Sequence, residues 1–234
     1  MFAESGYDLS FIWVCRSAEE VDEKAMVQRN IDQVQRSARG EDSYLNASFS
    51  LAKVKQVCKN KTRPEDSGIW RMLRAQKFLE TLVQLLALPA EEDEEDDEED
   101  EEDVVTDYLD KLRLVLELLV LLANTFSSRG HDLFPHEQEQ DSAGVGLRLP
   151  VDSVAALCSS MLPAAAPPST GALPSEVLSK YLKLLQLLVQ DSVNQEHFRA
   201  DEVRKHIEHH CSDGADTPGS DERTGFKELL GSLQ

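Results

Sequence analysis

Apolar residues recur at three- and four-residue spacing along most of this chain, and no segment shows a convincing run of period-2 alternation. The pattern predicts an all-α fold. The first apolar stretch, Leu9 to Cys15, is short enough to be either a strand or the start of a helix. Ser17 with Glu20 three residues later reads as a capping box. Val21, Ala25, Val27, Ile31, Val34 and Ala38 then set one apolar side on a helix that stops at Gly40. A second helix is predicted from Ala47 to Lys59 on the stripe Leu51, Val54, Val57 and Cys58, followed by a loop through Pro64. A third runs from Ile69 to Leu88, where Pro89 stops it. Its apolar positions (Trp70, Leu73, Phe78, Leu79, Leu82, Val83, Leu85 and Leu86) cover a wide arc and predict burial.

The most apolar helix is predicted over Val104 to Thr125, with Leu112, Leu116, Leu119 and Ala123 at helical spacing. A helix apolar nearly all round belongs at the centre of its layer. Residues 127–150 read as a polar loop. Asp152 or Ser153 is expected to cap a short helix reaching Leu162, and Pro163 to Gly171 reads as a spacer. Ser175 is expected to cap the last core helix, which carries Tyr181, Leu182, Leu184, Leu185 and Leu188, before a shorter helix from Asn194 to His210. The polar end of the chain reads as a flexible tail, in which Lys227 to Leu233 form a short amphipathic helix or fray. The expected organisation is a helical segment over 1–88, an acidic disordered loop over 89–103, a second helical segment over 104–210 packing with the first, and a tail over 211–234.

Charge changes this picture at one place. Glu91, Glu92, Asp93, Glu94, Glu95, Asp96, Asp97, Glu98, Glu99, Asp100, Glu101, Glu102 and Asp103 form an unbroken acidic run. Like charges at this density repel and hold water, so the run cannot enter a core. Subtracting its thirteen negatives from the net charge of −20 leaves −7 for the rest of the chain. The run is either a solvating linker or a polyanionic bait for basic partners such as histone tails, ribosomal proteins or basic import segments. Direct binding to nucleic acid or anionic lipid is disfavoured, because phosphate needs clustered Lys and Arg. The run lacks the glycine and patterned spacing of a calcium loop.

Candidate chemistry is sparse. His206 and His210 stand four apart with Cys211 adjacent, a spacing at which two imidazoles and a thiolate can meet one metal ion. The residues read His-Ile-Glu-His-His and not His-Glu-x-x-His, and a polar helix end explains them without a metal. No phosphate-cradling glycine loop, nucleophile elbow or kinase set occurs. Cys15, Cys58, Cys158 and Cys211 form no CxxC pair, and Cys58 and Cys158 lie on apolar helix faces. Arg71, Arg74 and Lys77 are expected on one face of the third helix beside Trp70. The expectation is no enzyme, no cofactor and no metal.

Three helices share a texture. KFLETLVQLLAL from Lys77, YLDKLRLVLELLVLLAN from Tyr108 and KYLKLLQLLVQDSVNQ from Lys180 each begin near an aromatic and end in a leucine ladder. The spacings Phe78 to Tyr108 and Tyr108 to Tyr181 are 30 and 73 residues, so no strict period exists. The segment LLQLLVQDSVNQEHFRADEVRKHI resembles armadillo and HEAT-type α-solenoid repeats, in which a leucine-rich helix ends near an asparagine; Asn124 and Asn194 stand at such places. The glycine between the first two helices of an armadillo unit has no evident counterpart. The resemblance implies an irregular helical stack, and a helical bundle explains the same pattern. Either predicts a scaffold or adaptor that binds other proteins, is part of a larger complex, or serves as a regulatory subunit. No segment is apolar and long enough to span a membrane, and the absence of a secretory leader and of paired cysteines predicts a cytoplasmic or nuclear location.

Overall fold

A computed structural model describes residues 9–60, 67–87, 101–133, 146–162, 173–211 and 220–233. The described residues form α-helices with no strand among them: α1 (Leu9–Ala38), α2 (Tyr44–Asn60), α3 (Ser67–Arg74), α4 (Gln76–Ala87), α5 (Glu101–Leu133), α6 (Val151–Ser160), α7 (Ser175–Leu188), α8 (Ser192–Phe198), α9 (Asp201–His209) and α10 (Ser220–Ser232). The fold is all-α.

Several helices begin or break where the local pattern did not place the boundary. The apolar run Leu9 to Cys15 is the first part of α1, and Ser17 lies inside that helix instead of capping it. No Pro or Gly separates the run from the residues after it, and lengthening a helix costs far less than nucleating a second one. α1 ends as expected at Gly40, which takes φ +70. The amides of Gly40 and Glu41 bond to the carbonyls of Ser37 and Arg36, so the last turn closes in a Schellman arrangement.

The single helix expected over Ile69 to Leu88 is two helices, parted at Ala75. At about 100° per residue, Leu73 and Phe78 would stand roughly 140° apart on an unbroken helix. Both are buried, together with Trp70 on one side of the break and Leu82 on the other. Breaking the helix brings the two stripes onto one core. A similar break at Ala200 divides the helix expected over Asn194 to His210 into α8 and α9. Asp191 caps α8 by accepting from the Val193 amide at 2.9 Å, and Asp201 and Glu202 fall in the first turn of α9, where the helix dipole favours them.

The expected caps Asp152, Ser153 and Ser175 are all inside their helices. Pro150 and Pro174 occupy the N-cap positions instead, with no side-chain cap. α5 is longer than expected at both ends: the last three acids of the run, Glu101 to Asp103, open it, and it continues to Leu133. Of the expected tail over 211–234, residues 212–219 lie outside the described residues, and α10 buries Phe226 and Leu229, with Leu233 buried just past its end. The short amphipathic helix, one of the two alternatives over Lys227 to Leu233, is the second half of α10, which begins earlier, at Ser220.

The helices stand in two rows. In the first, α1 packs on α4, α4 on α6 and α6 on α9; in the second, α2 packs on α5, α5 on α7 and α7 on α10. Rungs between the rows join α1 to α2, α4 to α5 and α9 to α10. Short α3 wedges against α1, α4 and α5, and short α8 links α6 to α9. One continuous core fills the space between the rows, from Val27 to Leu233. Aromatic contacts pin its corners. Trp70 meets Phe126 edge-on with centroids 5.8 Å apart, tying α3 to α5. Tyr181 lies 5.8 Å from Phe226, tying α7 to α10.

Candidate functional site

The second row presents its outer side to solvent, and α5 is its centre. On this most apolar helix, Asp110, Arg113 and Glu117 interrupt the leucines three and four residues apart, which sets them on one side. Arg113 reaches Asp110 at 2.8 Å and Glu176 of α7 at 3.3 Å. Glu176 pairs with Lys180 one turn on. Lys180 also reaches Glu117 at 3.2 Å, and Glu117 pairs with Lys55 of α2. The result is a seam of alternating charge that crosses α2, α5 and α7. Ser127 of α5 adds a bond at 2.9 Å to Gln190, just past the end of α7.

Glu117 is the hub of the seam. Partial burial works to raise its carboxyl, but hydrogen bonds from the Lys55 and Lys180 ammonium groups outweigh this and hold it below the ordinary carboxylate range. Lys180 answers in the opposite direction. Burial works to lower its ammonium, and Glu176 and Glu117 raise it above the usual lysine range. The seam was not read from the sequence. Its signal was present, since Glu117 is a charge in the middle of the longest leucine ladder.

Next to the seam, α2 shows solvent a different surface. Leu45 and Phe49, four apart, are 63% and 61% exposed, the largest values among the exposed large hydrophobics of the described residues. Lys53 and Lys59 are exposed on the same helix, and α2 contains no acidic residue.

A third feature lies at the α3–α4 break. Arg74, Gln76, Arg148, Leu149 and Pro150 line an open cavity of about 280 Å³. Arg148 is held by Asp191 at 3.4 Å. The extended stretch carrying Arg148 is fixed by Asn194, which is fully buried. The Asn194 Nδ2 donates to the carbonyls of Leu147 and Leu188 at 2.7 and 3.0 Å, and its Oδ1 accepts from the Leu149 amide at 3.1 Å. Asn124, paired with Asn194 in the sequence reading, is instead exposed on the outer side of α5. Of the expected basic face, Arg71 and Lys77 are exposed but lie on different helices, and Trp70 is buried.

The disfavoured metal candidates of the sequence are His206, His210 and Cys211. His210 is buried, its ring stacked on Phe226 at 5.0 Å and edge-on to Tyr181 at 5.7 Å. Burial pushes its pKa down to about 4, with His209 and His206 adding to the effect. Cys211 donates its thiol to the Ile207 carbonyl at 3.7 Å. Among the described residues no group of three or more His, Cys, Asp or Glu is placed to hold a metal ion. Burial likewise pushes the Cys58 and Cys158 thiols up to about 12, so neither is a thiolate at neutral pH.

Of the acidic run, Glu91 to Asp100 lie outside the described residues, and Glu101 to Asp103 form the first turn of α5. Among the described residues no helix is long and apolar enough to cross a membrane. No family model, curated protein or solved structure matches this chain.

Proposed function

We propose that this chain is a non-enzymatic protein–protein interaction scaffold of α-solenoid type, offering the outer side of the α2–α5–α7 row to a partner segment. The observation that carries this reading is the two-row arrangement, in which each helix of a row packs on the next, with Asp110 and Asn124 of α5 and Glu176 and Lys183 of α7 exposed among the described residues. Stacked helix pairs of this kind form extended binding surfaces because each unit needs only its neighbours for stability. The resemblance of the leucine-ladder segments to armadillo and HEAT repeats agrees with it. The ion-paired seam holds the three helices at fixed spacing, which preorganises the surface and lowers the entropy lost on binding. The raised thiol pKa values of Cys58 and Cys158 speak against a nucleophilic role for those two cysteines.

The test is affinity capture from lysate, read by mass spectrometry, with three forms of the chain. These are the intact protein, a form lacking residues 91–100, and the double variant Asn124→Arg with Lys183→Glu, which reverses the character of two exposed positions outside the seam. The scaffold reading expects partners that survive high salt, persist without residues 91–100 and are lost with the double variant. Partners that vanish with residues 91–100 or with salt would move the function to the acidic run. A chain that retains nothing in any form would overturn the scaffold reading.

A further inference from the structure

We infer that α2 is the docking element of this scaffold, and that its occupant is an acidic amphipathic helix of a partner protein. The inference rests on the scaffold reading above and deepens it. Leu45, Phe49, Ala52 and Gln56 follow one another at intervals of four, three and four residues, and all are exposed. At about 100° per residue they fall within roughly 60° of arc, at the middle of the solvent side of α2. The opposite side, with Ala47, Leu51, Val54 and Cys58, is buried in the core. The stripe is therefore held in place before any partner arrives.

Charge selects the occupant. The same rotation sets Lys53 on one flank of the stripe and Lys59 on the other. Over its 17 residues α2 carries no Asp or Glu, within a chain of net charge −20. Leu45, Phe49 and Ala52, with Lys53 and Lys59 toward the C-terminal end of the stripe, complement a helix with leucine-type residues at four-and-three spacing and carboxylates at the facing end.

The probe is a fluorescent synthetic helix of about 18 residues with leucines at the matching spacing and glutamates at the facing end, long enough to hold some helicity alone. Anisotropy titrations against the full chain use the wild type, Leu45→Ser with Phe49→Ser, and Lys53→Glu with Lys59→Glu. A peptide of the same composition in scrambled order is the control. Saturable binding of the patterned peptide is expected, abolished by the serine pair and weakened roughly tenfold by the glutamate pair. All four substituted side chains are exposed, so the thermal melt is expected to be unchanged and to exclude misfolding as the cause.

Equal binding of the scrambled peptide, or binding indifferent to the serine pair, would overturn the inference. So would light scattering that shows a dimer turned monomeric by the serine pair, or vesicles containing phosphatidylserine bound by the wild type and released by it. Failure of the peptide to bind while lysate partners remain sensitive to Asn124→Arg and Lys183→Glu would sink the α2 inference alone. The absence of any lysate partner for the intact chain as well would sink the scaffold reading with it.

Discussion

Replacing Asn194 with alanine removes three hydrogen bonds at one buried point. The side chain gives two N–H bonds, to the Leu147 and Leu188 carbonyls, and takes one from the Leu149 amide. Its own exposure is zero, and Leu147 and Leu149 are buried beside it. Alanine would leave one amide and two carbonyls without this partner in a space that water must invade to reach. An unsatisfied buried backbone group costs about 1–3 kcal/mol. The Leu188 carbonyl is the least affected, because the Asp191 amide also bonds to it at 3.2 Å. Counting the other two groups fully and allowing partial hydration gives a loss of about 3–4 kcal/mol, a large share of the 5–15 kcal/mol typical of a domain. The assay is urea unfolding followed by circular dichroism, with Asn124→Ala as the internal comparison, since Asn124 is exposed and is expected to move stability by no more than about 0.5 kcal/mol. A loss below about 1 kcal/mol for Asn194→Ala would refute the argument, as would equal effects at the two asparagines.

Gly225→Ala is expected to destabilise by about 1–2 kcal/mol despite the better helix propensity of alanine, whereas Gly231→Ala is expected to be neutral or stabilising by up to about 1 kcal/mol. A Cβ at position 225 would meet Leu182 Cδ2 at 2.4 Å, while at 231 nothing lies within 4 Å; paired thermal melts compare the two. His210 holds its neutral form in the fold, with a pKa of about 4 against an ordinary 6.5, so between those values the unfolded chain binds the extra proton. Its contribution is intact above about pH 6.5 and is lost as pH falls toward 4, at about 1.4 kcal/mol per pH unit and roughly 3 kcal/mol in all; a pH series on wild type and His210→Phe should show a shallower slope in the variant. Glu117→Gln is expected to cost about 1 kcal/mol at low salt and less at high salt, because Lys55 and Lys180 lose their shared charge partner; denaturant titrations at two ionic strengths test this.

The core was legible from spacing. Leucines at three- and four-residue intervals on α4, α5 and α7 are buried as their pattern requires. The helix boundaries were less legible, and for an identifiable reason. Capping signals are local, and Ser17, Ser153 and Ser175 all satisfy the local rule. Whether a serine caps depends on what precedes it. Pro150 and Pro174, each with φ near the value a helix needs, take the N-cap positions of α6 and α7, two residues ahead of Asp152 in the one case and directly ahead of Ser175 in the other. The break at Ala75 was present in the sequence as a phase difference between two apolar stripes. It is missed when the two stripes are counted together as one wide arc.

The candidate surface was hidden for a different reason. A charged residue contributes to a seam only through partners far away in the chain: Lys55 and Glu117 are 62 positions apart, and Arg113 and Glu176 are 63. No spacing rule within one helix can find such pairs. What the sequence does show is the anomaly that demands them. A carboxylate placed among the leucines of α5 must keep solvent on one side or acquire cations, and Glu117 does both, with two lysines in contact and its side chain 30% exposed. The same reasoning applied in reverse singles out α2. Leucine and phenylalanine placed where an exposed helix ordinarily carries polar groups must either be tolerated singly or be covered by another surface. Leu45 and Phe49 are not single, since one turn of helix sets them side by side on the solvent side of α2. A stripe with that much pattern favours one occupant over others, which scattered exposed hydrophobics do not.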